Sequence, residues 1–140
     1  MKRRRKKRKI NKHTILVVDN DPDICEVLQR ALSLDGYRVH KALGGSEALR
    51  ILDVLTKEED VHVVLLDLVM PDRDGISTLK EINRRWPQLP VIILTGYGTL
   101  DTARQAMLSG AYDFLTKPFD LNVVKETICE ALGSEIPGKV

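Results

Sequence analysis

The chain has 140 residues, 43% hydrophobic and 30% charged, the length and balance of one globular domain able to bury a sizeable core. No apolar run reaches the roughly 18–20 residues of a membrane span, and the basic start is not followed by the apolar segment of a secretory signal. The formal charge of +2 conceals an asymmetry: nine of the 22 Lys/Arg fall in residues 1–12, which hold no acid, leaving 13 bases against 20 acids elsewhere, a net of −7.

Residues 1–12, MKRRRKKRKINK, are predicted to be disordered, because like charges at this density repel and nothing there forms a core. Their charge suits nonspecific contact with nucleic acid or anionic lipid, or simply a solvated terminus. Residues 14–18 (TILVV) then read as a buried strand. Residues 22–34 read as a helix, with Asp21 at the cap, Pro22 in the first turn, and Ile24, Val27, Leu28, Ala31 and Leu32 at helical spacing. Gly36 ends it. Residues 37–40 form a short strand, and residues 46–57 a helix with Ala48, Leu49, Leu52 and Leu55 on one face. Residues 61–66 (VHVVLL) are a second continuous apolar strand. Residues 76–84 follow as a helix, 90–94 (PVIIL) as a strand, 99–109 as a helix stopped at Gly110, 112–115 as a strand and 121–132 as the last helix.

Strict alternation of strand and helix, with continuous rather than alternating apolar strands, predicts a doubly wound five-stranded parallel sheet covered on both faces, in a single α/β domain over residues 13–133. Residues 134–140 read as a C-terminal tail or the start of a linker. Cys25 and Cys129 match no metal spacing and read as reduced, packed thiols.

In such sheets the site lies beyond the carboxyl ends of the strands. The first strand ends in Asp19, Asn20 and Asp21, the third in Asp67, the fourth in Thr95, and the fifth is followed by Lys117 and Pro118. Acids gathered at one rim require a cation, and Mg²⁺ suits oxygen donors. A divalent ion lets an aspartate act as nucleophile toward phosphorus while a lysine and a hydroxyl hold phosphoryl oxygens. The acid at the end of the central strand, Asp67, is the expected acceptor. Pro118 is expected to follow a cis peptide bond. Asp72 and Asp74 read as turn residues before Gly75. The three histidines read as structural or exposed, and Trp86 as cover for a helix end.

The motifs VVDND, LLDLVMPDRDG, ILTGYG and LTKPF, in this order, resemble the receiver domain of two-component response regulators over about residues 13–132. The phrasing of residues 95–119 is most similar to receivers of the enhancer-binding transcriptional subclass. The resemblance implies a flavodoxin-like (βα)5 fold in the cytoplasm, with Asp67 taking a phosphoryl group from a sensor histidine kinase or phosphotransfer protein. It implies Asp19, Asn20, Asp67 and the Val69 carbonyl as Mg²⁺ ligands, and Thr95 and Lys117 as phosphoryl ligands. Thr95 and Phe114 would be switch residues, altering the surface of the fourth helix, fifth strand and fifth helix for a downstream partner.

The chain departs from the family at Asn20, where a second acid is usual. The amide keeps an oxygen but loses a charge, worth at most about 4 kcal/mol at 4 Å and about 1–2 once waters intervene. Weaker Mg²⁺ binding follows, unless Asp21 moves in from its capping role. Val69 and Tyr97 flank the path of an attacking water with apolar and aromatic groups, which implies slow loss of the phosphoryl group. Two other readings remain open: a phosphate-independent interaction module of the same fold, and a haloacid-dehalogenase-type phosphatase using Asp19 of the Asp19-x-Asp21 pair. A dinucleotide site is disfavoured, since the first turn lacks glycines and its acids repel a pyrophosphate.

Overall fold

The structure is a computed structural model and describes residues 13–58 and 60–133. The basic arm at 1–12 and the tail at 134–140 lie outside the described residues. The elements run β1 (Thr14–Val18), α1 (Pro22–Leu34), β2 (Arg38–Ala42), α2 (Gly45–Glu58), β3 (Val63–Leu66), α3 (Gly75–Arg85), β4 (Val91–Thr95), α4 (Leu100–Leu108), β5 (Asp113–Thr116) and α5 (Leu121–Leu132). All strand pairs are parallel and the order is β2-β1-β3-β4-β5. The sheet is therefore the doubly wound five-stranded one expected. Among the described residues no helix is long and apolar enough to cross a membrane.

The three inner strands explain why their sequences do not alternate. Every residue of β1, β3 and β4 is buried, because successive side chains enter two different cores. Ile15, Val17, Val63, Leu65, Ile92 and Leu94 point to a layer closed by Cys25, Leu28 and Leu32 of α1 and Val124 and Ile128 of α5. Leu16, Val18, Val64, Leu66, Val91 and Ile93 point to the opposite layer, closed by α2, α3 and α4 through Leu52, Leu79, Ile82 and Ala106. Burial of each large apolar side chain contributes about 1.5–3 kcal/mol, so the two layers dominate the fold's stability. The edge strands β2 and β5 are only partly buried.

Three details depart from the sequence expectation. The strand expected at 37–40 begins at Arg38 and extends to Ala42. The Tyr37 amide instead donates to the Leu32 carbonyl as the chain turns through Gly36 at φ 93°, and the ladder to β1 opens at Arg38. The strand expected at 61–66 pairs only from Val63, where its register with Ile15 begins. The buried stripe of α1 is Cys25, Leu28 and Leu32, while Val27 is 52% exposed. Leu28 and Leu32 are thus buried as expected and Ile24 packs against them, while Cys25 joins the stripe and Val27 falls outside it.

Four helices are capped by the residue immediately before them. Asp21 accepts from the Asp23 amide, Asp74 from Ser77, Thr99 from Thr102 and Asp120 from Asn122. Asp74 is thus a helix cap rather than a plain turn residue. Trp86 closes the end of α3, with the Arg85 guanidinium 4.5 Å above its ring. His13 and His62 meet edge to face, and His62 Nδ1 accepts the Thr14 amide. The phase of α1 is testable by equilibrium unfolding: Leu28→Ala is expected to cost about 3 kcal/mol, and Val27→Ala less than about 1 kcal/mol. The reverse ranking would contradict the packing described.

Candidate functional site

The chain reverses direction across the sheet between β1 and β3: it steps from β1 to β2 on one side and then to β3 on the other. Diverging connections leave a crevice at such a point. Ladder bonds fix both of its walls. The Asp67 amide donates to the Val18 carbonyl, the Asp19 amide to Ala42, and the Lys117 amide to Thr95.

The side chains that meet there are those the sequence singled out at the strand ends. Asp19 and Asp67 are 3% and 5% exposed and Thr95 is fully buried. Lys117 Nζ donates to Asp19 Oδ2 at 2.6 Å and to Asp67 Oδ2 at 3.1 Å. The remaining carboxylate oxygens take backbone amides, Asp21 N to Asp19 Oδ1 at 2.9 Å and Val69 N to Asp67 Oδ1 at 3.2 Å. Thr95 Oγ1 accepts the Tyr97 amide at 3.2 Å. Lys117 precedes Pro118 through a cis peptide bond, as expected.

Burial works against the Lys117 ammonium. Its hydrogen bonds to Asp19 and Asp67, and their charges, outweigh that and hold its pKa above the ordinary lysine value. The pocket still carries two negative charges against one positive.

Its donor set fits a small divalent cation. Two carboxylates, the Asn20 amide oxygen and the Val69 carbonyl are hard oxygen ligands, and Mg²⁺ keeps several waters beside one or two carboxylates. Among the described residues no cluster of three or more His, Cys, Asp or Glu is arranged to hold a metal. The pocket itself brings together two acids, Asp19 and Asp67. Asn20 itself is exposed at the rim. Asp21 is committed elsewhere: its carboxylate caps α1 and its amide holds Asp19. The structure shows Asp21 in that capping role.

Phe114 lies apart from the acids, on β5 opposite Ile93, and packs on the α2–α4 core layer. It is linked to Thr95 through the β4–α4 loop. That loop runs so close to β5 that a Cβ on Gly98 would collide with Thr116 Cγ2 and lie 3.7 Å from the Phe114 ring. Val69 and Tyr97 are 55% and 60% exposed at the pocket mouth.

Sequence reasoning missed two contributors. Cys25 Sγ donates to the Asp19 carbonyl at 3.3 Å, beneath the pocket. Burial, then the Asp19 charge, pushes this thiol up to about 11. Asp72 reaches the start of α2, accepting from Gly45 and Ser46 at 3.1 and 3.0 Å. No local pattern announces a contact made 26 residues away. The Gly44-Gly45 pair at a helix start, lacking a capping side chain of its own, was the available hint.

Residues 15–129 match the family described as "Response regulator receiver domain". The chain is 45% identical over 118 residues to the transcriptional regulatory protein ZraR of Klebsiella oxytoca, a match covering 84% of this chain and 26% of that protein. It thus spans about a quarter of the length of the curated relatives it matches. A response regulator receiver domain protein from Clostridium thermocellum superposes with a TM-score of 0.80 at 36% identity, covering 86% of this chain and 94% of that one. A response regulator protein from Burkholderia pseudomallei, solved with a phosphorylated aspartic acid, calcium ion and citrate, gives 0.74 at 28% identity, covering 83% and 66%.

The triad of charges makes a stability prediction. Lys117→Met leaves two buried carboxylates without their cation and is expected to cost about 2 kcal/mol in urea unfolding without divalent ions. Adding Asp67→Asn removes one of those charges and should restore about 1 kcal/mol. Strict additivity of the two changes would show that Lys117 and Asp67 do not interact.

Proposed function

The chain belongs to the response regulator receiver domain family of two-component signalling, and from that premise we propose that it is a phosphoryl-accepting switch with Asp67 as the acceptor. The observation that carries this reading is the convergence on Lys117 of two nearly fully buried carboxylates, one at the end of the sheet's central strand. An Asp67 oxygen attacks the phosphorus of a phosphohistidine on a sensor kinase or phosphotransfer protein. The P–N bond breaks, its electron pair returns to the imidazole, and that nitrogen takes a proton from solvent.

Asp19, Asn20, Asp67 and the Val69 carbonyl would hold Mg²⁺, which when bound neutralises charge on the phosphoryl oxygens. Lys117 already touches the attacking carboxylate, so it is placed to follow the oxygens as they arrive. Thr95 turns its hydroxyl from the Tyr97 amide toward the new group. The phosphorylated aspartate and calcium ion of the B. pseudomallei protein support a divalent ion beside a phosphoaspartate in this fold.

Motion of Thr95 passes to Phe114 through the loop containing Gly98, whose contact with β5 leaves no slack. The surface that responds is α4-β5-α5. Tyr97, Leu100, Met107, Leu108 and Tyr112 leave apolar area exposed there, as a docking face requires. The switch is a population shift between two packings. Transcriptional output follows the named relatives, and we place the chain in the cytoplasm. The basic residues 1–12 support nonspecific nucleic-acid contact by charge alone.

The test is intact mass after incubation with a small phosphodonor. A Mg²⁺-dependent gain of one phosphoryl group, absent in Asp67→Asn, is the expected result. No gain in a folded protein would favour the phosphate-independent module. With Val69 and Tyr97 screening the pocket, the adduct should persist for minutes, and decay within seconds would contradict that part. Restoring the second acid with Asn20→Asp is expected to tighten Mg²⁺ binding about tenfold by calorimetric titration. Unchanged affinity would remove Asn20 from the ligand set.

A further inference from the structure

Helix α2 is the exception to the capping pattern. The residue before it, Gly44, has no side chain, and the amides of Gly45 and Ser46 are taken by the Asp72 carboxylate from the β3–α3 loop. The cap is borrowed from another part of the chain. A Cβ on Gly44 would stand 2.6 Å from both Asp72 oxygens. Gly44 is not among the positive-φ glycines, so the carboxylate, and not the backbone angle, is what excludes a side chain there. The Ser46 amide, outweighing partial burial and assisted by Gly45, holds the Asp72 carboxyl below the ordinary carboxylate range. The contact is therefore made by the charged form.

The loop that lends the cap is the one that follows Asp67. At its start the Val69 amide donates to Asp67 Oδ1. At its end Gly75 backs onto Leu68, its amide bonded to the Leu68 carbonyl at 3.2 Å with no room for a Cβ, and Asp74 caps α3. Val69 at the first of these ends is mostly exposed, and residues 70–73 run between them. Asp72 ties that span to the first turn of α2.

We propose that Asp72 is a positioning residue: by capping α2 from the β3–α3 loop, it holds the Val69 backbone against Asp67. Its effect on chemistry rests on the reading of Asp67 as phosphoryl acceptor. Its effect on the loop does not. A shift of the Val69 peptide displaces both the amide that orients the Asp67 carboxylate and the carbonyl offered to a metal.

A rescue design separates positioning from simple capping. Asp72→Ala removes both the cap and the tie. Asp72→Ala with Gly44→Ser gives α2 a cap of its own, in the space the carboxylate vacates, but no tie to the loop. The single variant is expected to lower Tm by about 4 °C, and the double variant to recover most of that. In both, the Val69 amide should exchange with deuterium at least about fivefold faster than in wild type. Phosphoryl gain from the small phosphodonor should stay about tenfold slower in both. Wild-type protection of Val69 in both variants would overturn the proposal. So would a double variant that recovers the phosphorylation rate along with its Tm, since Asp72 would then be a helix cap and nothing more. If wild type itself takes no phosphoryl group, the acceptor reading fails, and Val69 exchange still decides the tie.

Discussion

One ammonium makes the pocket possible. Two carboxylates from neighbouring strand ends, each almost sealed from water, would not stay ionised side by side without a compensating charge. Lys117 supplies it from the far edge strand. It spans β4 to do so, from the end of β5 to the ends of β1 and β3. The compensation is partial. One surplus negative charge remains in the pocket.

The rest of the architecture delivers that lysine. Reversal of chain direction between β1 and β3 opens the crevice beneath Asp19 and Asp67. Full burial of three strands makes the floor rigid. The two core layers divide the helices unequally, with α1 and α5 on one face and α2, α3 and α4 on the other. Phe114 packs on the three-helix side, to which α4 with its exposed Leu100, Met107 and Leu108 also belongs. Thr95, the β4–α4 loop and Phe114 follow one another on that side, and α1 and α5 pack the opposite face.

Much of this was legible because it is encoded locally. Continuous apolar runs at 14–18, 61–66 and 90–94 announce buried strands, and each ends in a polar residue whose place the topology dictates. Asp21 followed by Pro22 announces a helix start. What could not be read depends on contacts distant in the chain. The edge strand β2 starts where its partner permits, and not where Tyr37 suggests a strand former. The buried face of α1 includes Cys25, a residue the apolar spacing passed over, in line with Leu28 and Leu32, and leaves Val27 toward solvent. Asp72 resembles any turn aspartate until α2 arrives beside it. Asn20 was legible as a departure, but only the structure shows the Asp21 carboxylate bound to the first turn of α1 and its amide to Asp19.

Cys25 sits directly below the acceptor pocket, its thiol hydrogen-bonded to the Asp19 carbonyl. With its pKa pushed up to about 11, it stays protonated at every physiological pH. The thiolate is the form that oxidants, nitrosating agents and metals attack. A thiolate here would put a reactive sulfur against the backbone of Asp19. Burial, aided by the Asp19 charge, holds the proton on the sulfur, so this thiol keeps its unreactive form one hydrogen bond from the strand-end carboxylates.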